Sequence, residues 1–596
     1  MSDYKAPVKE MNFVLNDVID IGEVMELANF QDVDSDLIEA ILHEGAKFAG
    51  EVLSPTYRDG DLHPATVTDG EVKTSPGFKE AYKQYCDNGW NGITANPEYG
   101  GQGLPHVLGL PITEMTESAN TAFSLCPMLT SSAILAIDTH GSDEQKNTYL
   151  SNLISGEWSG TMNLTEPGAG SDVGALQSKA VPQEDGTFLV KGQKIFITYG
   201  EHDMADNIIH MVLARLPDAP TGTRGISLFI VPKFLVNEDG SLGDRNDLTC
   251  ISLEHKLGIH GSPTCTMSFG DNNGCVGYLI GGENKGMAAM FTMMNDARLA
   301  VGTQGLACSE RAWQMALEYA NDRVQGKSLK TGTASPIIEH PDVRRMLMTM
   351  KSTTEAMRSI AYLNAKSIDL AKHHSDVDIA AKHKGLADLL TPLSKAYGSD
   401  LGVENSSLAM QVFGGMGYIE ETGIAQVYRD ARINAIYEGT NGIQAMDLVG
   451  RKLSIDNGKH WRVFHEEMSD FANGLPDDDD FSRIKRNLNK VVALSKDCAE
   501  WLLSQHNENI CNTMAGSVPY LRVLSTAVGC YLLAKGAMAA KNKLEEGDND
   551  HGFLKAKIVT AGFYATQIVP TVLSLGEAIQ AGDDLFYAIN ANNMSQ

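Results

Sequence analysis

With 596 residues, 43% of them hydrophobic, the chain exceeds what one ordinary core can use and points to roughly three to four domains. Its 48 Lys and Arg against 76 Asp and Glu leave a formal charge of −28, which disfavours nucleic acid and anionic membrane surfaces as partners, because both repel an acidic protein. The nine cysteines are scattered, odd in number and never spaced Cys-x-x-Cys, so neither a disulfide framework nor a zinc site is expected.

Residues 1–35 read as an acidic amino-terminal extension with neither the apolar core of a signal peptide nor the Arg-rich character of a transit peptide; a cytoplasmic location is expected. Residues 36–160 read as an α-helical domain, with apolar residues at three and four spacing in Leu37-Ile-Glu-Ala-Ile-Leu-His-Glu-Gly-Ala-Lys-Phe48 and in Ala133-Ile-Leu-Ala-Ile-Asp138. Asn96-Pro-Glu-Tyr-Gly-Gly-Gln-Gly-Leu-Pro105 breaks it as a loop. The texture changes over 161–285, where short apolar runs such as Lys194-Ile-Phe-Ile-Thr198 and Ile226-Ser-Leu-Phe-Ile-Val231 are punctuated by Gly, Pro and Asp. That spacing predicts strands in a small β-barrel or orthogonal sheet. Helical periodicity returns over 286–452, interrupted by a long loop from Gln325 to Pro341. Residues 453–596 form a further, largely helical segment, and Leu475-Pro-Asp-Asp-Asp-Asp480 near its start reads as a solvated connector without the spaced ligands of a calcium loop. No uncharged apolar run reads as long enough to span a bilayer, and the best stretch near the end, Val523 to Ala534, stops between Arg522 and Lys535, so no membrane span is expected. The adjacent His373 and His374 cannot both face one metal from a helix and read as solvated; no metal site is expected.

The most informative stretch is Tyr437-Glu438-Gly439-Thr440-Asn441-Gly442, which places one carboxylate in an otherwise apolar, glycine-bearing loop. Closure of a ligand over that loop would desolvate Glu438 and raise its pKa toward the range where it can take a weakly acidic carbon-bound proton. Three further motifs keep it company: Leu164-Thr-Glu-Pro-Gly-Ala-Gly-Ser-Asp172, Lys194-Ile-Phe-Ile-Thr198 and Gln411-Val-Phe-Gly-Gly-Met-Gly417. Together, from about residue 36 to about residue 450, they resemble the acyl-CoA dehydrogenase family.

That resemblance implies an α+β multidomain fold: an N-terminal α-helical domain, a middle β-barrel domain and a C-terminal four-helix bundle, here followed by an additional helical domain. It implies FAD as cofactor, an acyl-CoA thioester as substrate and α,β-dehydrogenation as the reaction, with Glu438 taking the α-proton and flavin N5 the β-hydride. The backbone N–H of Glu438 and a ribityl hydroxyl would hold the thioester carbonyl. Some family members carry their base on the bundle, just before an arginine matching Arg298; here that position is Ala297, so no alternative base stands there. Thr165, Phe196 and Thr198 would face the flavin, Phe196 standing where many relatives have tryptophan. Ser171, Asn295, Arg298, Tyr437 and Gly439 would line the substrate site. Gln411, Gly414, Gly415 and Arg323 would meet the ADP half of FAD across a subunit boundary, with Thr440 in the same contact. Gly442 stands where the family often has a glutamine, so one hydrogen bond to the cofactor is absent or made elsewhere. Glu166 and Asp172 read as structural.

The extension and the start Tyr4-Lys-Ala-Pro-Val-Lys-Glu-Met-Asn resemble a bacterial branch whose members act on 3-methylmercaptopropionyl-CoA, in dimethylsulfoniopropionate breakdown, or on ordinary short and medium acyl-CoAs. An electron-transfer flavoprotein or similar acceptor and a homodimer, its second-pair surface covered by the extension, are the partners the resemblance implies. Two rival readings remain open: an acyl-CoA oxidase, in which oxygen reaches the reduced flavin, and a helical scaffold that keeps the fold without the chemistry.

Overall fold

The computed structural model describes residues 4–272 and 274–595. It separates into two compact units, one formed mainly by His43–Ala300, the other by Pro7–Leu42 together with the chain from Val301 onwards.

In the first unit the helices that precede the sheet include α1 (Phe78–Asp87), α2 (His106–Ala119), α3 (Thr121–His140) and α4 (Asp143–Ser155). Polar side chains start two of them: Asn120 Oδ1 accepts from Phe123 N at 3.1 Å at the head of α3, and Ser142 with Gln145 forms a reciprocal capping box on α4. Each such cap stabilises its helix by about 1 kcal/mol. Helix α3 is apolar around most of its circumference, and 78% of its most apolar window is buried. A helix with no polar face has to be central.

The sheet has eight strands: β1 (Trp158–Asn163), β2 (Lys179–Pro182), β3 (Phe188–Thr198), β4 (Asn207–Arg215), β5 (Ile226–Pro232), β6 (Leu248–Leu253), β7 (Thr264–Phe269) and β8 (Cys275–Ile280). Their order is β6-β7-β3-β8-β5-β4-β1. Strand β2 pairs with both β3 and β4, which closes β3, β8, β5, β4 and β2 into a ring, the small barrel that the strand spacing predicts. The interior holds Phe188, Val190, Ile197, Val212, Phe229, Val231 and Met267. Strand β5 is buried along its whole length, which is why it reads as an unbroken apolar run rather than an alternation.

Two histidines are buried in this unit. His202 sits 2.7 Å from Ser159 Oγ and accepts from Met204 N at 3.1 Å, and His210 lies 3.2 Å from Asn163 Nδ2. Burial, reinforced by the charge of Lys233, pulls each imidazole down to about 3. A depressed folded-state pKa means that stability is fully present above the unfolded value near 6.5 and is lost as pH falls toward 3. The expected slope is about 1.4 kcal/mol per pH unit for each histidine. Denaturant unfolding between pH 7 and 5 should show it, and His210→Gln should roughly halve it, leaving the share of His202; an unchanged slope in that variant would remove His210 from the account.

The second unit is mainly helical; where the sequence reads as a long loop from Gln325 to Pro341 it holds a short antiparallel hairpin, Val324–Lys327 against Ala334–Pro336. Helix α5 (Gly286–Asp322) begins in the first unit and ends here, followed by α6 (Pro341–His373) and α7 (Val377–Phe413). Within this unit α5 and α7 meet backbone to backbone: a Cβ added to Gly305 would fall 2.1 Å from the carbonyl oxygen of Gly398. No residue but glycine fits that approach. It brings the neighbouring Gln304 and Lys395, both fully buried, into the interior.

The segment after residue 453 supplies α8 (Lys459–Gly474), α9 (Ser482–His506), α10 (Ser517–Glu545) and α11 (His551–Phe563). Helix α10 packs on α6, with 83% of its apolar window buried. Lys557 of α11 is buried between Glu10, near the chain start, and Glu355 of α6, at 3.0 Å from the latter. Arg358 pairs with Glu310 at 2.7 Å one turn further along α6.

By length and composition alone, α3, α10 and the helical stretch His551–Gln580 are long and apolar enough to cross a membrane, which corrects the sequence expectation. Charges interrupt only α10, at Arg522 and Lys535; in α3 and in His551–Gln580 hydroxyl and small residues dilute uncharged runs that extend over 118–137 and 558–576. For α3 and α10 the apolar surface is spent on the interior.

Candidate active site

Two clusters of residues carry the expected chemistry, one in each unit. In the first unit the chain leaving β1 makes a tight turn, in which Glu166 and Ala169 exchange both backbone hydrogen bonds at 3.1 and 3.0 Å. Beneath it Glu166 and Lys194 form a buried ion pair at 2.8 Å. Lys194 also donates to the Leu164 carbonyl at 3.0 Å, and Glu166 accepts from Ser178 Oγ and Gln177 N, each at 2.6 Å. Burial acts to raise the Glu166 carboxyl, but the Lys194 charge and these donors outweigh it and hold the group below its ordinary value. Burial likewise pulls the Lys194 ammonium down to about 8 against the attraction of Glu166. Glu166 is therefore part of the frame, as its reading from sequence has it. The frame ties Thr165 to β3 through Ile195 N, which donates to the Thr165 carbonyl at 2.9 Å.

One residue beyond that bond the strand bulges. Lys194 is paired with Met267 and Ile197 with Cys265, three steps on β3 against two on β7. Phe196 lies in the bulge at φ +61° with its side chain 59% exposed. Left-handed backbone costs an L-residue roughly 1–2 kcal/mol, and bulges are where strands turn a side chain to a new direction. The strained Phe196 thus presents a flat apolar face to whatever binds there. Thr198, half-buried on the same strand, accepts from Thr161 Oγ1 through its carbonyl at 2.7 Å. Ser171 is exposed, Asn295 is exposed, and Arg298 is buried with Nη1 3.4 Å from Asn295 Oδ1. A cavity of about 80 Å³ in this unit has apolar walls from Leu110, Pro127, Met128 and Leu299, with Ser124 and Thr113 also in its lining, their hydroxyls donating to the Thr121 and Gly109 carbonyls.

In the second unit Glu438 lies in the short loop before the helix Asn441–Asp447 and has φ +56°, followed by Gly439 at φ +83°. It is partly exposed, and its carbonyl accepts from Gln444 Nε2 at 3.4 Å. Tyr437 Oη donates to Gln304 Oε1 and lies 3.2 Å from Asn434 Oδ1. Thr440 caps the following helix, its Oγ1 accepting from Ile443 N at 3.3 Å, so part of its hydroxyl's capacity is spent within the chain. Gln411, Gly414 and Gly415 lie exposed at the end of α7, and Arg323 is exposed just after α5. A Cβ on Gly414 or Gly415 would meet nothing within 4 Å, whereas one on Gly417 would fall 2.2 Å from the Met410 carbonyl oxygen. Close packing within the chain therefore accounts for Gly417 only.

Reading the sequence missed the residues that hold the Glu438 loop: Gln304, Lys395 and Asn441. The available signal was a Lys and a Gln at core positions of long helices, where burial needs partners.

Family models match the chain in order: the acyl-CoA dehydrogenase N-terminal domain over 38–157, the middle domain over 161–272 and the C-terminal domain over 284–453. An acetyl-CoA dehydrogenase C-terminal-like model matches 464–590. The chain belongs to the acyl-CoA dehydrogenase family. This dehydrogenase is 45% identical to the 3-methylmercaptopropionyl-CoA dehydrogenase of Ruegeria pomeroyi, over 95% of this chain and 96% of that one. It is 36% identical to a butyryl-CoA dehydrogenase of Syntrophomonas wolfei, over 98% and 97% of the two chains. Its fold matches that of a Bacillus anthracis acyl-CoA dehydrogenase complexed with FAD, with a TM-score of 0.74 at 21% identity, covering 98% of this chain and 93% of that one. The α+β dehydrogenase fold with an added C-terminal domain is thus the one the motifs imply, and the cofactor of this dehydrogenase is FAD. Each unit by itself holds residues that suit that group: in the first an exposed ring in a bulge with two partly exposed threonines near it, in the second an open glycine turn at the end of α7.

Proposed function

We propose that this dehydrogenase oxidises a short acyl-CoA thioester across its α and β carbons, with 3-methylmercaptopropionyl-CoA converted to methylthioacryloyl-CoA. The observation that carries the substrate is the 45% identity to the Ruegeria pomeroyi enzyme, which extends over 95% of the chain and so includes the C-terminal extension. Glu438 takes the α-proton. Its left-handed backbone and the two glycine-rich steps after it leave the carboxylate on a loop with no bulky neighbour downstream. The backbone N–H of Glu438 donates to the thioester carbonyl, where negative charge develops. FAD, when bound, supplies the hydride acceptor. Phe196 packs against the flavin ring, Thr165 and Thr198 donate to its polar edge, and Arg323, Gln411 and Thr440 hold its ADP half. Asn295 and Arg298 face the coenzyme A portion, and the single arginine offsets part of an acidic surface. A homodimer in the cytoplasm, passing electrons to an electron-transfer flavoprotein, completes the reading.

Pocket discrimination between a methylthio group and a methylene pair is worth only about 1–3 kcal/mol. Butyryl-CoA is therefore the competing substrate. Anaerobic reduction of the flavin by a panel of thioesters tests both, and 3-methylmercaptopropionyl-CoA and butyryl-CoA should bleach the flavin at least tenfold faster than palmitoyl-CoA. Bleaching by long-chain thioesters alone would overturn the short-substrate reading. Hydrogen peroxide formed in step with turnover in air would assign the protein to the oxidases instead.

A further inference from the structure

Only three residues, Glu438, Gly439 and Thr440, separate two side chains that are fastened to the long helices of the second unit. Upstream, Tyr437 is held by Gln304 of α5. Downstream, Asn441 is held by α7 through every hydrogen bond its amide can make: Oδ1 accepts from Lys395 Nζ at 2.9 Å and from Ser399 Oγ at 3.0 Å, and Nδ2 donates to Asp400 Oδ1 at 2.6 Å and to the Ala396 carbonyl at 3.2 Å. The orientation of the amide is forced, since an ammonium can only donate and a carboxylate can only accept. Lys395 and Ser399 are fully buried, and their backbones are placed by the glycine contact between α5 and α7.

We propose that Asn441, locked to Lys395 and Asp400, is a positioning residue that keeps the Glu438 carboxylate aimed for α-proton removal. The inference rests on the reading of Glu438 as base. A left-handed backbone at a non-glycine residue persists only where its surroundings over-determine it. Thr440 fastens to the helix that Asn441 itself begins, its Oγ1 accepting from Ile443 N. Loss of Asn441 frees the downstream end of the loop and lets Glu438 relax toward ordinary backbone. The carboxylate is then present and misdirected, which slows proton transfer while leaving the binding of coenzyme A and FAD in place.

The test uses the FAD-loaded enzyme with (methylthio)acetyl-CoA, in which sulfur replaces the β-carbon. The base can remove an α-proton, leaving the C–H electron pair as an enolate, and no β-hydride exists to leave, so the only reaction is exchange of α-hydrogen with solvent. In D2O the exchange is read by NMR. Asn441→Ala should slow it about 10- to 100-fold, with FAD content and probe affinity within about 3-fold of wild type. Lys395→Met should act in the same direction, and the double variant should be little slower than the slower single one. Should Asn441→Ala fold poorly, Asn441→Asp keeps the size and the acceptor oxygens while losing the donation to Asp400, and it should slow exchange likewise. Wild-type exchange in Asn441→Ala or Asn441→Asp, with only thermal stability lowered, would reduce Asn441 to a packing role and sink the inference. Wild-type exchange in Glu438→Gln sinks the underlying assignment of the base instead; a dead Glu438→Gln beside a normal Asn441→Ala sinks the positioning role alone.

Discussion

Glu438→Gln is expected to fold, retain FAD and bind acyl-CoA, while flavin reduction by substrate falls by several orders of magnitude. The amide has the size of the carboxylate and keeps the loop's backbone N–H, but it has no site for the α-proton. Proton transfer to a positioned base contributes about 10²–10⁴-fold by itself, and no second carboxylate stands at the alternative family position, where Ala297 is fully buried. Anaerobic stopped-flow with 3-methylmercaptopropionyl-CoA, following the flavin band, reads the effect. Near-normal bleaching in the variant would place the base elsewhere and leave the left-handed backbone of Glu438 without its proposed purpose.

Lys557→Met should be the most destabilising single change in the second unit, at about 3–5 kcal/mol, because it leaves Glu10 buried without its ion-pair partner and Glu355 with Lys351 alone. Glu10 and Glu355 both pair with Lys557, and all three side chains are nearly inaccessible to water. Burial alone would raise Glu355, yet Lys557 and Lys351 together hold it down to about 2, whereas for Glu10 burial and the neighbouring Glu355 prevail and its pKa is raised. Removing the lysine leaves the two acids facing each other. Adding Glu10→Gln to Lys557→Met should recover part of the loss, since the carboxylate left without its partner is then replaced by a neutral amide. Denaturant unfolding of the three proteins reads this, and a Lys557→Met protein as stable as wild type would show that the extension is held by apolar packing alone.

Most of the fold was legible in the sequence because each layer carries its own period: α-helical spacing in 36–160 and after 286, and short punctuated runs between. The barrel's closure was visible only as strand spacing; the pairing of Lys179 with Arg215 that completes the ring has no sequence mark. At the candidate site, the residues carrying chemistry could be read because motifs surround them, and those holding them could not. Asn441 was quoted within its motif and given no role, since its partners lie 46 and 42 positions away on α7. Phe196 was legible as an aromatic, but the bulge that turns it outward depends on its register against β7. The length of the apolar helices was not legible because Ser, Thr and small residues dilute the hydrophobic signal in α3 and His551–Gln580, and Arg522 and Lys535 divide it in α10.

The Lys557–Glu10 pair joins residues 547 positions apart. A ribosome adds about 5–20 residues per second, so Glu10 is made roughly half a minute to two minutes before its ionic partner exists. During that interval the segment Pro7–Leu42, which belongs to the second unit, has no finished surface to join, while His43–Ala300 can already close. Synthesis therefore runs ahead of assembly at the amino terminus, and the second unit is completed only when the last helices leave the exit tunnel. A nascent chain stalled before residue 551 should expose Pro7–Leu42 to protease, and release of the full chain should protect it.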